Sequence, residues 1–258
     1  MAHAEPLRLA DVPDNDVRSF REEGYLLIPG LLTTGDAALL RAEVMAIMDT
    51  IGLPRRALRQ TSQYLRGSRI DALVNSPRLK ALVARLIGGD GTLYLPFTAV
   101  KSPGGGPFSF HQDNQYTKWD GPGILGINCW FALDEMTPEN GCLNIAPRSH
   151  TKGTVQGVDY EPDPGEHHRK VAADPASFLP IRMHPGDCIA FDRLTIHGSG
   201  PNTTAIPRVA YAVQFHRDDV NATWPDGRTL PLKTNPRWTD LGPRDVITPP
   251  EEVSRDGH

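Results

Sequence analysis

The sequence predicts an α+β protein: a double-stranded β-helix, or jelly-roll barrel, with an N-terminal helical layer packed on one of its sheets. Helical periodicity is confined to about the first 90 residues. After Gly91 the chain turns into short aromatic or β-branched runs separated by turns. The 24 glycines and 24 prolines are spread along 258 residues, as many connections between short strands require.

The elements follow in order. "DNDVRSFREEG" reads as a short helix, with aspartates capping its start and Gly24 stopping it. "YLLIPGLL" reads as a buried strand ending at Pro29-Gly30. Between Thr34 and Thr50 and just beyond, Leu39, Leu40, Val44, Ile47, Met48 and Ile51 recur at helical spacing. "SPRLKALVARLIGG" carries a third helix, with Ser76 as N-cap, Pro77 in the first turn and glycines closing it. Then come the strands "TLYLPFTAVK", "PFSFHQD", "LGINCWFALD", "CLNIAP", "IRMHPGDCIAFD" and "PRVAYAVQF". No comparable helix interrupts them, and no internal repeat appears. From Leu241 the tail is proline-rich and polar and is expected to lie over the surface or hang loose. Nothing marks a domain boundary. The expected organisation is one domain over 1–258, with a helical part to about residue 90, the barrel to about 240, and the tail 241–258.

Composition narrows the function classes. Hydrophobic residues at 39% and charged residues at 22% are ordinary for a folded globule. A formal net charge of −4 offers no basic field for a phosphate backbone, so nucleic acid is not an expected partner. Cys129, Cys142 and Cys188 form no CxxC pair, and an odd count suits a reducing compartment. The N-terminus lacks a signal-like apolar region, and no apolar run is long enough to span a bilayer. The expectation is a cytoplasmic protein with no membrane partner, its oligomeric state unknown. "SPGGGP" and "IGGDG" lack the lysine and hydroxyl of a phosphate-binding loop.

The chemistry starts at "FSFHQDNQY", residues 108–116. Side chains at i and i+2 of a strand share a face, so His111 and Asp113 lie side by side and Gln112 points away. Two histidines and a carboxylate would form a facial triad that leaves positions open on iron. The second histidine has six candidates: His150, His167, His168, His184, His197 and His216. His197 stands out in "CIAFDRLTIHGSGPNTTAIPRVAYAVQF", where a strand precedes it, a glycine-rich turn follows, and Arg208 opens another strand. An arginine fixed on a strand near a metal is a natural bidentate partner for a carboxylate, and Ser199 offers a hydroxyl to the same group. Plainer readings stand beside these. An isolated HxD is mostly chance, Trp130 reads equally as a core aromatic, and His184 before "PGD" reads as structural. His167 and His168 fall in a polar loop near the site mouth.

Taken in order, "HQD … WFALDEMTPENGCLNIAPRSH … HGSGPN … R" resembles the phytanoyl-CoA dioxygenase family of iron(II)- and 2-oxoglutarate-dependent oxygenases. "FREEGYLLIPGLL" resembles that family's opening, so the likeness spans most of the chain apart from the central helical stretch and the tail. The resemblance implies that His111, Asp113 and His197 bind catalytic Fe(II). It places the distal carboxylate of 2-oxoglutarate on Arg208 and Ser199, with Trp130 beside the cosubstrate. It also implies O2 as co-reactant and stimulation by ascorbate. Succinate and carbon dioxide would be released while a substrate is oxidised, usually by hydroxylation. Halogenating relatives replace the carboxylate ligand with a small residue; Asp113 is intact.

For the substrate, the loop "NQYTKWDGPG" and the stretch "QTSQYLRG" offer Asn114, Gln115, Tyr116, Trp119 and Tyr64. These suit a polar small molecule, an amine-bearing one included, of the kind met in specialised metabolism. No basic cluster suits the phosphates of an acyl-CoA. Desaturation, epimerisation and ring closure remain open outcomes. The competing function class is a non-catalytic metal-binding protein on the same cupin-like barrel. A structural metal is usually closed by four protein ligands, whereas three ligands and a nearby arginine point to catalysis.

Overall fold

Local signals position the helices in the computed structural model, which describes residues 12–53, 58–115, 118–121, 123–159, 169–171, 174–223, 227–232 and 243–248. Helix α1 (Asp14–Glu23) follows Pro13 with no side-chain cap, and Gly24 closes it in the left-handed region at φ 82°. The aspartates expected as caps fall inside its first turn instead, where they favour the helix dipole. Helix α2 (Thr34–Ile51) starts on Thr33, whose hydroxyl accepts from the Asp36 amide at 2.9 Å. It buries Leu40, Val44, Ile47, Met48 and Ile51, while Leu39 turns outward. A short helix α3 (Arg69–Val74), capped by Ser68, was not expected. Helix α4 (Pro77–Ile87) follows the sequence reading: Ser76 accepts from the Leu79 amide at 3.0 Å, and Gly88 ends the helix.

The strands are β1 (Tyr25–Ile28), β2 (Leu58–Arg59), β3 (Gly91–Lys101), β4 (Phe108–His111), β5 (Lys118–Asp120), β6 (Gly126–Ala132), β7 (Leu143–Ile145), β8 (Val158–Asp159), β9 (Arg169–Lys170), β10 (Leu179–Pro180), β11 (Cys188–Asp192), β12 (His197–Ser199), β13 (Arg208–Arg217), β14 (Asn221–Thr223) and β15 (Thr229–Pro231). A large sheet runs β1-β11-β6-β13-β3-β2 and a small one β10-β7-β12-β4; β15-β14-β5 and β8-β9 are minor additions. Strand β1, expected to be buried, is a half-exposed edge. From the tail, residues 243–248 are exposed or half-buried and hydrogen-bond along Gln63 and Arg66.

Alternation along β13 assigns its two faces. Val209, Tyr211, Val213 and Phe215 join Phe20, Leu40, Val44 and Leu82 of the helical layer in one core. Ala210 and Ala212 turn the other way and pack with Trp130, Leu143 and Ile145 in a second core between the two sheets. The inner face carries Ala99, Ala132, Ala210 and Ala212 in neighbouring register, and such small side chains leave room for a cavity. Among the described residues no ladder joins the large sheet to the small one. The helical layer and the two facing sheets follow the expected α+β arrangement, while closure of the sheets into the expected jelly-roll barrel is not seen among the described residues. No helix among the described residues is long and apolar enough to cross a membrane.

Candidate metal and cosubstrate site

Strands β4 and β12 pair with His111 directly opposite His197, which brings the two rings to 4.3 Å between centroids. Strand β4 ends at His111. Asp113 opens a 3-10 turn, Asp113–Gln115, rather than continuing the strand. It still shares the histidines' side: each Nε2 lies 3.8 Å from Asp113 Oδ1, and the three ligand atoms fall within 4.8 Å of one another. Gln112 points away, as expected. Its Oε1 accepts from the Val155 amide at 2.8 Å, and its Nε2 donates to Gly153 and Leu194 carbonyls.

The surrounding hydrogen bonds fix the state of each ligand. His111 Nδ1 lies 2.8 Å from the Ser109 carbonyl, and His197 Nδ1 lies 2.9 Å from that of Thr195. A carbonyl only accepts, so each Nδ1 carries the hydrogen and each Nε2 presents its lone pair to the common point. Gln214 Nε2 donates to Asp113 Oδ2 at 2.8 Å, which leaves Oδ1 for a metal. Among the described residues no fourth His, Cys, Asp or Glu joins the group, so a bound ion would keep open positions. These residues fit iron(II). His184 instead meets Glu135 on the surface, His150 contacts the Arg21 carbonyl, and His216 packs among Tyr94 and Trp119. His167 and His168 lie outside the described residues.

Arg208 enters the same cavity from the start of β13. It is 3% exposed and forms no ion pair among the described residues; Nη1 donates to the Ala99 carbonyl at 3.3 Å, and Nε has no partner. Its guanidinium lies 5.3 Å from the Trp130 ring. Burial pulls its pKa down to about 10. A buried cation with an unsatisfied donor is costly unless an anion completes it.

Lys101 is Arg208's register partner on β3, fully buried, and the sequence reading passed over it. Its Nζ donates to Ser199 Oγ at 2.8 Å and to the Gly200 carbonyl. When Lys101 is protonated its ammonium only donates, so in that state Ser199 serves as acceptor and its own O–H is left to donate elsewhere. Burial, with Arg208 beside it, lowers the Lys101 pKa to about 6. Its stem runs past Gly105 and Gly141, where an added Cβ would come within 2.9 and 3.0 Å of it. The alternation of Phe97, Ala99 and Lys101 was the available signal.

The triad, Ser199, Arg208 and Trp130 thus line one cavity of about 320 Å³ between the sheets. The expected substrate contacts fare differently. Tyr64 is buried in the helical-layer core, and its pKa is pushed up to about 12 by burial. Trp119 is buried in a separate cluster with Tyr94 and Leu125, and Asn114 is spent on the Trp119 amide at 2.9 Å. None of these three lines the cavity: the two rings are buried in cores, and Asn114 is held by the Trp119 amide and Thr154. The side chain of Gln115 and all of Tyr116 lie outside what is described. Gln60, Thr61, Ser62, Asn128, Arg193 and Gln214 form the polar wall instead. The stretch "QTSQYLRG" does reach the site, through its first three residues rather than its tyrosine.

Comparison with known proteins identifies the family. The profile of the phytanoyl-CoA dioxygenase (PhyH) family matches residues 20–210. The methylphosphonate hydroxylase of Gimesia maris is 28% identical over 209 residues, covering 76% of this chain and 77% of that one. Matches to several phytanoyl-CoA dioxygenases and domain-containing relatives span about half of their length. Among solved structures, EvdO2 from Micromonospora carbonacea var. aurantiaca, complexed with 2-oxoglutarate, superposes with a TM-score of 0.68 at 23% identity, covering 82% of this chain and 93% of that one. The epimerase SnoN, in complex with Fe3+, alpha ketoglutarate and nogalamycin RO, gives 0.64 at 21% identity, covering 81% and 84%. These two likenesses concern the fold.

Proposed function

This chain belongs to the phytanoyl-CoA dioxygenase family, an Fe(II)/2-oxoglutarate-dependent oxygenase, and from that premise we propose that it hydroxylates a polar small molecule. One observation carries the reading: a three-ligand centre with its lone pairs preset shares a cavity with a buried arginine that has no ion pair among the described residues. Iron(II), when bound, supplies dioxygen activation coupled to decarboxylation of 2-oxoglutarate to succinate and carbon dioxide.

His111, Asp113 and His197 hold the metal in this reading, with Gln214 keeping one Asp113 oxygen turned toward it. Arg208 takes the distal carboxylate of 2-oxoglutarate through its fork of donors, and Ser199 adds the hydroxyl that Lys101 has turned outward. Trp130 flanks the cosubstrate, its ring beside the guanidinium. Apolar walls at Phe97, Phe108 and Leu143 exclude water and strengthen the charge pairing. Hydroxylation is favoured over halogenation because Asp113 is a carboxylate, and the related methylphosphonate hydroxylase performs that reaction class. A place in specialised metabolism is supported by fold relatives from nogalamycin biosynthesis.

Purified protein given iron(II), ascorbate and 2-oxoglutarate should release succinate slowly without its substrate, through uncoupled turnover. Under nitrogen, iron(II) and 2-oxoglutarate should give a visible metal-to-ligand charge-transfer band. Absence of both would leave a metal-binding protein without catalysis.

A further inference from the structure

A buried amide on the cavity wall stands next to the metal ligands. Asn128 lies on β6, with Gln214 of β13 opposite it on one side and Phe191 of β11 on the other. Each of these neighbours touches a ligand. Gln214 Nε2 donates to Asp113 Oδ2 at 2.8 Å, and the Phe191 ring centre lies 4.6 Å from that of His197. Cross-strand partners share a face of the sheet, and all three side chains line the cavity. The register therefore sets Asn128 between two contacts to the metal centre.

Direction along the sheet gives it a side. Trp130, two residues on and on the same face, pairs with Ala212, and its ring lies 5.3 Å from the Arg208 guanidinium. Asn128 pairs with Gln214, one row farther along β13 from Arg208 than Trp130 is. A cosubstrate held between the metal and Arg208 passes Trp130 and leaves Asn128 to the substrate.

The state of the amide agrees with that assignment. Asn128 is 3% exposed, and its Oδ1 has no hydrogen-bond partner among the described residues. Native interiors rarely leave a buried amide oxygen without a donor. On the same wall Gln214 is committed to Asp113, Ser199 to Lys101 and the Thr61 hydroxyl to the Gln63 amide. With nothing holding Oδ1, the amide can turn about its Cβ–Cγ bond and present that oxygen to the cavity. 2-Oxoglutarate, as a dianion, brings acceptors only and cannot satisfy it.

We propose that Asn128 binds the substrate, accepting a hydrogen bond from a neutral hydroxyl close to the carbon that is oxidised. The inference rests on the oxygenase reading above and names the substrate class for that site. An ammonium also donates, but a buried cation needs an anion. Asp113 is the one carboxylate among the described residues that line the cavity, and in that reading it is taken by the metal. Both carboxylates of 2-oxoglutarate are taken as well, by the metal and by Arg208. An alcohol carries its donor without charge, and its oxygen can accept from Nδ2 in turn. The rest of the molecule would meet the apolar side chains of Leu95, Phe97 and Phe191.

Proton relaxation of small probes tests this on protein holding 2-oxoglutarate with either cobalt(II) or zinc(II) in place of iron. Ethylene glycol supplies hydroxyls, 1,2-dimethoxyethane a similar frame without a donor, and ethylammonium a cation. The glycol protons should relax faster with cobalt(II) than with zinc(II), and the difference should saturate. The ether and the ammonium should show no saturable difference. Asn128→Leu should weaken the glycol about fivefold or more, while 2-oxoglutarate affinity and the charge-transfer band with iron(II) under nitrogen persist. No saturable difference for the glycol in the wild type, or the same affinity in the variant, overturns the proposal. Weakened 2-oxoglutarate binding in the variant overturns it too, by assigning the amide to the cosubstrate. A wild type lacking the band would instead defeat the oxygenase reading. Should the variant fail to fold, the Asn128 side-chain amide resonance of the zinc-loaded wild type decides. It should shift with glycol and not with the ether; no shift would sink the idea.

Discussion

In the proposed arrangement Arg208 separates cosubstrate from metal more cleanly than any ligand does, because it would hold one and not the other. Arg208→Lys keeps the charge but loses the rigid fork. Losing one charged hydrogen bond should weaken 2-oxoglutarate by about 1.5–3 kcal/mol, roughly one to two decades in Kd. Calorimetry on iron-loaded protein under nitrogen would measure it, with iron affinity itself unchanged; an unaltered Kd would mean the carboxylate is held elsewhere. Lys101 makes a second prediction, because its pKa is about 6 in the fold against 10.5 as a free side chain. Between those values the unfolded chain binds the extra proton, so this residue's contribution to the empty protein's stability rises with pH over that window. An anion beside it pulls the proton back. Binding 2-oxoglutarate near pH 7.5 should therefore take up as much as about one proton, and affinity should fall as pH rises. Calorimetry in buffers of different ionisation enthalpy reads that count, and Lys101→Met should abolish it. An identical count in the variant would place the proton on another group. His111, Asp113, His197 and Arg208 were legible in the sequence because each carries its chemistry within a short ordered motif. Lys101, Gln214 and Arg193 were not, since each meets a partner that tertiary packing brings from another element: Ser199 from β12, Asp113 across the cavity, Trp119 from β5.

Elements were readable where local signals and burial agreed. Helix α4 has its cap serine, its first-turn proline and its closing glycine all in place. Ser76→Ala removes the hydroxyl that accepts from the Leu79 amide and should cost about 1 kcal/mol of stability. Urea denaturation would show it, and metal and 2-oxoglutarate binding should stay as they are, since α4 packs on the outer face of the large sheet. A loss of affinity would mean that the helical layer sets the site's geometry more directly than its packing indicates. Elements were misread where tertiary context decides. Strand β1 has the apolar composition of a buried strand, yet it is an edge because no described strand lies beyond it. Helix α3, six residues long, is too short to show periodicity, and its first amides are satisfied by the Glu43 carboxylate from α2. The tyrosine and tryptophan expected in the pocket went to cores for the same reason that any large ring does.

At the scale of the molecule, the site joins two sheets that share no ladder among the described residues. His111, His197 and Ser199 belong to the small sheet, while Arg208, Trp130 and Gln214 belong to the large one. Period-2 patterning foretold strands but not closure, because whether two sheets share a ladder depends on edges that no single segment encodes. With the sheets open, a metal bound on one and a dicarboxylate reaching Arg208 on the other would link them across the cavity. A ligand that binds only the folded state stabilises it by mass action, about 2.7 kcal/mol at about a hundredfold excess over Kd. For a chain of this size that is a rise in Tm of roughly 5–10 °C. Iron(II) with 2-oxoglutarate under nitrogen should produce such a rise, together with slower amide exchange in β4, β12 and β13. Metal alone should slow exchange chiefly in β4 and β12, whose histidines it ties to Asp113. His197→Ala should remain folded, lose tight iron binding, and show neither effect, because both depend on the centre that His197 completes. If the variant were protected as strongly as the wild type, the metal would have to sit on other ligands, and the bridge between the sheets would have to be drawn elsewhere.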